Sequence, residues 1–379
     1  MENFIVSARK YRPSKFLDVV GQEQVSDTLK KALSTGKLAQ SFLFCGPRGV
    51  GKTTCARILA KAINCENPSA DFEPCNECNS CVSFNQNASF NIFELDAASN
   101  NSVDDIRTLV DQVRFAPQSG KYKVYIIDEV HMLSSGAFNA FLKTLEEPPS
   151  YAIFILATTE KHKIIPTILS RCQIFDFRRI SDKDIVKQLQ KICESEGVSA
   201  EPSALHVIAQ KADGGLRDAL SLFDKIVSYA GKKVTYQDVI TNLNILDFEY
   251  YFKITEYFMT EDSAAVLNAY NEIVNNGFDG EMFLVGMAEH FRNLLICKDE
   301  KTTHLLEAAD DIKDKYFQQA NLVNDTFLLN ALTTINKCDI DYKTAKNKRL
   351  LVELALLKIC FLNTQIENTL SILLGEKKN

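Results

Sequence analysis

The chain has 379 residues, 46% of them hydrophobic and 24% charged, with a net charge of −6. At roughly 150 residues per domain this means two or three domains with room for proper cores, which excludes a peptide, a stapled miniprotein and a wholly disordered chain. Apolar runs such as residues 152–157 fall far short of the roughly 20 residues of a membrane span, and residues 1–13 have no signal-peptide core, so a cytoplasmic location is expected. The acidic balance provides no global field for nucleic acid, although a local basic surface is compatible with it. Eleven cysteines, an odd number without a secretion signal, are expected to be reduced thiols, four of them candidates for a metal.

Residues 41–46, 90–97, 123–129, 152–159 and 172–177 are rich in Ile, Phe, Val and Tyr and are separated by helix-like stretches. Continuous apolar strands alternating with helices are what a parallel sheet covered on both faces produces, so residues 1–180 are expected to form an α/β domain. From 181 to 242 helical periodicity takes over. Ser181 is placed as an N-cap and Gly197 as the C′ residue of a first helix, followed by helices over 201–215 and 216–233, a small three-helix bundle. The stretches 250–260, 263–277, 281–298, 325–342 and 348–362 continue the helical pattern, giving an all-helical third domain from 243 to 379. No repeat, heptad run or low-complexity segment stands out, and the chain is expected to stop at 373–379 without a tail.

Gly46, Pro47, Arg48, Gly49, Val50, Gly51, Lys52 and Thr53 fit G-x-x-x-x-G-K-[ST] between a predicted strand and a helix that continues from Thr54. In such a loop backbone N–H groups wrap phosphates, the helix N-terminus adds its positive end, Lys52 reaches the β and γ phosphates, and Thr53 offers a hydroxyl to Mg²⁺. A glycine-rich turn without a ligand is the alternative, but strand, glycines, Lys-Thr and helix all agree against it. Asp128 and Glu129 close the most apolar strand, at the sheet end that faces the ligand crevice in an open parallel sheet. There Asp128 is suited to Mg²⁺ and Glu129 to deprotonating a water; two acids opening a loop is the plainer reading.

Cys65, Cys75, Cys78 and Cys81 are spaced C-x9-C-x2-C-x2-C among Pro, Asn and Glu, which suits a closed tetrahedral structural Zn²⁺ in an outlying knuckle. Unligated thiols or a redox pair are the alternative. The other seven cysteines sit in apolar or helical patterns and read as simply buried. Thr159 ends a strand beside that of Asp128, where a hydroxyl can bond a water or γ-phosphate or merely cap the strand. Arg171 has no obvious acidic partner in the sequence pattern. Arg217 lies in the first turn of a helix, where a cation opposes the dipole and wants an anion, either a γ-phosphate or simply Asp218. Glu146 and Glu147 end a helix, also against its dipole, and read as solvated carboxylates.

Taken in order, residues 9–13 with 18–25, the loop 46–53, the four cysteines, 126–134, 138–149, 155–160, 168–172 and 214–222 resemble the γ/τ family of bacterial DNA polymerase III clamp-loader subunits, which are AAA+ ATPases, over essentially the whole chain. The resemblance implies an AAA+ P-loop NTPase core with a zinc knuckle at 65–81, a helical lid and a helical collar. It implies ATP, Mg²⁺ and structural Zn²⁺ as cofactors, Lys52 and Thr53 as nucleotide loop, Asp128 and Glu129 as hydrolytic acids, Thr159 as sensor one and Arg217 as sensor two. Arg171 would act in trans on a neighbouring subunit's ATP, and residues 9–13 with Val19, Val20 and Gln22 would flank the adenine. The implied partners are delta and delta prime subunits and further gamma/tau copies in a hetero-pentamer, the sliding clamp, and primer–template DNA, with Arg107 a candidate contact to the last. DNA-directed DNA polymerase activity would attach to the chain only through the holoenzyme, since no separate polymerase constellation stands out. The family's long form carries further segments for the polymerase and helicase, so a short form or a piece ending after the collar is expected. Two other readings compete: a clamp-loader scaffold that has lost nucleotide chemistry, opposed by the intact Lys52, Thr53, Asp128 and Glu129, and an AAA+ motor on branched DNA, opposed by the knuckle and the long helical C-terminal part.

Overall fold

The computed structural model describes residues 5–117, 120–243, 245–306 and 310–364; the expected end at 373–379 and the first four residues lie outside the described residues. Five strands, β1 (Ser41–Cys45), β2 (Ile92–Asp96), β3 (Lys123–Asp128), β4 (Ala152–Thr158) and β5 (Gln173–Asp176), form a parallel sheet in the order β2-β3-β4-β1-β5. The central strands β1, β3 and β4 are almost wholly buried, so they read as unbroken apolar runs. Their side chains alternate between two cores. Phe42, Phe44, Val124, Ile126, Ile153 and Ile155 face the helices Glu23–Thr35 and Lys52–Asn64, whereas Leu43, Cys45, Tyr125, Ile127, Phe154 and Leu156 face Val103–Val113 and Ser135–Glu146. Past the last pair, Ile127↔Leu156, β3 runs one residue further, to Asp128, and β4 two, to Thr158, so both strands release their next residues at the same edge of the sheet.

The contacts divide the chain into two units, residues up to Ser199 with Ile208–Lys232, and Ala200–Val207 with Lys233 onward. In the first unit the helix Asp182–Glu196 is capped by Ser181, whose hydroxyl accepts from the Asp184 N–H, and ends at Gly197 in the left-handed region (φ 64°). The helix Leu216–Ala230 follows, while Pro202–Lys211 straddles the division. The second unit adds a short helix, Tyr236–Leu243, and then Phe248–Met259, Ser263–Asn275, Gly280–Ile296, Asp310–Leu322, Asp325–Tyr342 and Lys348–Cys360 around one core that includes Phe258, Phe283, Met287, Phe291 and Phe327. Among the described residues no helix is long and apolar enough to cross a membrane.

Candidate functional site

Between β1 and the helix Lys52–Asn64 the chain makes a loop that only glycine permits at its start. Gly46 has φ 151°, its N–H bonds the carbonyl of Thr158 at 3.2 Å, and a Cβ there would stand 2.5 Å from the carbonyl oxygen of Phe177. Lys52 is buried, 6% exposed, with Nζ donating to the carbonyls of Gly46 (2.8 Å) and Pro47 (2.7 Å). Burial pulls its pKa below the ordinary lysine value, against the attraction of Glu129 and Asp128. A desolvated ammonium resting on the loop's own carbonyls is poised to exchange them for phosphate oxygens.

One residue further, the Thr53 hydroxyl donates to Asp128 Oδ2 at 2.7 Å, and the other Asp128 oxygen accepts the Glu129 N–H at 3.0 Å. Glu129 itself sits in the left-handed region (φ 48°), an uncommon conformation for a non-glycine residue, and this turns its carboxylate toward β4. There Glu129 Oε2 accepts from the Thr159 hydroxyl (3.0 Å) and N–H (3.4 Å). Thr159 lies one residue past the end of β4, not within it, so its N–H is available to Glu129. His131 completes the cluster, with Nδ1 3.1 Å from Thr158 Oγ1 and 3.4 Å from Glu129 Oε2, and Nε2 3.0 Å from Glu160 Oε2. His131 played no part in the sequence reading, although it lies three residues after Asp128. Thr53 and Asp128 present hard oxygen ligands of the kind that suit Mg²⁺.

The same loop floors a cleft whose walls include Ala8, Tyr11, Arg12, Val19, Val20, Ile180, Leu216, Arg217 and Leu220. The walls are tied in place by polar contacts. Gln22 donates its amide to the Arg178 carbonyl (2.7 Å) and accepts the Arg178 N–H (3.3 Å); Ser7 bonds Asp224 through its N–H (2.7 Å) and its hydroxyl; Lys10 pairs with Glu196 at 2.6 Å, and Tyr11 donates to the same carboxylate. These hydrogen bonds from Lys10 and Tyr11 lower the Glu196 pKa. Arg217 donates its N–H to the Gly49 carbonyl at 3.3 Å and, among the described residues, forms no ion pair with Asp218; it lines the cleft.

Arg171 does have an acidic partner. Its guanidinium donates to Glu146 Oε1 at 2.8 Å and to the Thr167 carbonyl at 2.7 Å, so Glu146 is not merely a solvated carboxylate. Arg107 is held by Asp104 at 3.2 Å, on a helix whose first turn carries two acids, so the helix end beside it is locally acidic rather than basic.

Cys65, Cys75, Cys78 and Cys81 bring all four sulfurs within 4.8 Å of one another. A tetrahedral Zn²⁺ with Zn–S of about 2.3 Å separates its sulfurs by about 3.8 Å, so the donor set and its spacing fit the ion. Burial raises the Cys75 pKa, but the N–H groups of Glu77 and Cys78 aimed at its sulfur outweigh this and bring it down to about 6, toward the thiolate that binds metal. Nearby, Lys61 is buried and donates to Asn76 Oδ1 at 2.6 Å, a cation beside the sulfurs.

Three family models match the chain in succession: DNA polymerase III, delta subunit, over residues 21–181; DNA polymerase III clamp loader subunit, ATPase lid domain, over 184–232; and DNA polymerase III subunits gamma and tau domain III, over 234–372. The DNA polymerase III subunit tau of Bacillus subtilis is 42% identical over 352 residues, covering 93% of this chain and 62% of that protein. The tau subunit of Escherichia coli is 44% identical over 285 residues, covering 75% of this chain and 44% of that one. The DNA polymerase III subunit gamma of Buchnera aphidicola subsp. Baizongia pistaciae is 34% identical over 371 residues, covering 96% of this chain and 98% of its own length. The chain thus spans less than two thirds of these tau subunits and nearly all of this gamma subunit.

Proposed function

The chain belongs to the family of DNA polymerase III subunits gamma and tau, and from that premise we propose that it is the ATP-driven subunit of a bacterial sliding-clamp loader, hydrolysing ATP to open the clamp and place it on primer–template DNA. What supports this most is the unbroken hydrogen-bond chain Thr53–Asp128–Glu129–Thr159 at the mouth of the glycine loop, beside a desolvated Lys52.

In this scheme the triphosphate displaces the carbonyls of Gly46 and Pro47 from Lys52, whose ammonium then bridges the β and γ phosphates while the loop's N–H groups and the helix N-terminus hold the others. Thr53 and Asp128 would hold Mg²⁺, which when bound neutralises phosphate charge. Glu129 leaves the Thr159 hydroxyl, takes a proton from the attacking water, and frees Thr159 to donate to the γ-phosphate or that water. Arg217 offers a cation from the lid, and residues 9–13 with Val19, Val20 and Gln22 flank the base. Arg171 exchanges Glu146 for the γ-phosphate bound by a neighbouring subunit, so hydrolysis requires assembly. Energetically this needs only that γ-phosphate favour the engaged arrangement over the relaxed one.

The partners proposed are delta and delta prime subunits, further copies of this chain in a hetero-pentamer held by the helical C-terminal unit, the clamp, and DNA bound through its phosphates. Zn²⁺ at the four cysteines is structural, and the working location is the cytoplasm. Polymerase activity belongs to the holoenzyme, not to these residues. The deciding experiment is calorimetric titration of ATP into the chain and into Lys52→Ala: binding by the first and none by the second is expected, and equal binding would contradict the assignment.

A further inference from the structure

Glu73 lies in the loop between Cys65 and Cys75, two residues before the latter, yet its side chain points away from the sulfurs' work. It is 7% exposed, and its carboxylate accepts the backbone N–H groups of Phe16 (2.6 Å) and Leu17 (3.0 Å) and pairs with Lys30 Nζ at 2.8 Å. Phe16–Asp18 is a single 3-10 turn, and the N–H groups at such a start have no partner within the turn, so a carboxylate placed on them makes charge-assisted bonds. From that turn the chain runs directly into Val19 and Val20, which wall the nucleotide cleft, and then to Gln22, which is bonded to the Arg178 backbone.

The segment is therefore pinned at both ends, by Gln22 after it and by Glu73 before it. Glu73 is in turn placed by its own loop. Its N–H donates to the Ser69 hydroxyl (3.1 Å), its carbonyl accepts the Ser69 N–H (3.0 Å), and Phe72 takes the left-handed conformation (φ 59°) just ahead of it. Two residues on, Cys75 is bound to Cys65, its N–H donating to the Cys65 sulfur at 3.3 Å, and Cys65 caps the C-terminal end of the phosphate-loop helix.

We propose that Glu73 is a positioning residue for nucleotide binding: it couples the four-cysteine knuckle to the wall on the base side of the cleft, so that metal at the knuckle raises affinity for the nucleoside part of the ligand. The proposal rests on the cleft binding nucleotide. The knuckle then does more than stabilise an outlying loop. It joins the helix that holds the phosphates to the segment that contacts the base, without touching either ligand part itself.

The test titrates ADP and inorganic tripolyphosphate into the full chain, with zinc content measured on each sample. Losing charge-assisted bonds to two N–H groups in Glu73→Ala is expected to weaken ADP about tenfold and leave tripolyphosphate affinity and zinc content unchanged. Glu73→Gln, which keeps the shape and one acceptor, is expected to fall between the alanine variant and the wild type, and it carries the test should the alanine variant not fold. Chelating the metal from the wild type is expected to weaken ADP to a similar extent and to add nothing to the alanine variant. A folded Glu73→Ala that binds ADP as the wild type does, or that loses ADP and tripolyphosphate alike, overturns the coupling. So does a chelated wild type that retains full ADP affinity. A wild type that binds neither probe overturns the nucleotide reading itself, whereas wild-type binding with an unaffected Glu73→Ala overturns this inference alone.

Discussion

Arg171 reaches back to Glu146 at 2.8 Å, joining the short helix Pro166–Leu169 to the C-terminal end of the helix Ser135–Glu146. Glu146 alone opposes the dipole of its helix; a guanidinium beside it cancels that charge at the terminus. The side chains are 34% and 48% exposed, so the pair contributes only about 0.2–1 kcal/mol. That is weak enough for a fully charged phosphate to win the guanidinium. Glu146→Gln is accordingly expected to lower stability by no more than about 1 kcal/mol and to leave ATP binding by the isolated chain unchanged. Thermal denaturation and calorimetry check this, and a loss of several kcal/mol would mean that the pair is structural.

Glu129 accepts the Thr159 hydroxyl at 3.0 Å. Glu129→Gln keeps the shape but cannot take a proton, so the expected result is ATP binding within about threefold of the wild type with hydrolysis in the assembly slowed by roughly 10²-fold or more. Single-turnover kinetics separate the two effects, and hydrolysis at an undiminished rate would remove Glu129 from the chemistry.

At the knuckle, Cys78 is buried and its N–H also supports the Cys75 sulfur at 3.2 Å. Cys78→Ser is expected to release zinc and lower the melting temperature by several degrees, while the rate of hydrolysis of ATP already bound is unchanged. Unaltered zinc content by a colorimetric chelator assay would contradict the metal assignment.

In the helical C-terminal unit, His290 is 1% exposed between Gln319 (2.9 Å) and Tyr316 (3.3 Å), and burial pushes its pKa from 6.5 down to about 4. The folded state therefore holds it neutral. Its contribution is fully present above pH 6.5 and is lost as the pH falls toward 4, because the unfolded chain takes up a proton that the folded one refuses. The folding constant of this unit is expected to drop by roughly tenfold per pH unit across that window from this group alone. In His290→Gln that component should vanish when the two pH profiles are subtracted; parallel profiles would contradict it.

Much of this was legible because the relevant signals are contiguous. The buried strands are continuous apolar runs, and their predicted and observed limits differ by one or two residues, as for Ser41–Cys45. The loop 46–53 carries its spacing within itself, and Ser181 and Gly197 act as read. Several helices escaped, among them Glu23–Thr35 ahead of the first strand, Tyr236–Leu243, which is short, and Asp310–Leu322, whose Asp-, Lys- and Gln-rich sequence hides the buried Tyr316 and Ala320. The ties that shape the cleft escaped for a different reason. Glu73 meets Phe16 across 57 residues, Gln22 meets Arg178 across 156, and both bonds end on backbone atoms, which leave no mark on residue identity. Glu146 and Arg171 are 25 residues apart and oppositely charged, but nothing in either local pattern singles out the other.

In the mechanism proposed above, one subunit's Arg171 completes the ATP site of its neighbour. The direct measurement is DNA-stimulated ATP hydrolysis by the chain reconstituted with delta, delta prime and clamp proteins, comparing the wild type with Arg171→Ala in every copy. The expected result is undiminished ATP binding and a turnover reduced by about 10³-fold or more, the scale of an arginine supplied in trans to phosphoryl transfer. Full DNA-stimulated turnover by the all-alanine assembly would contradict it.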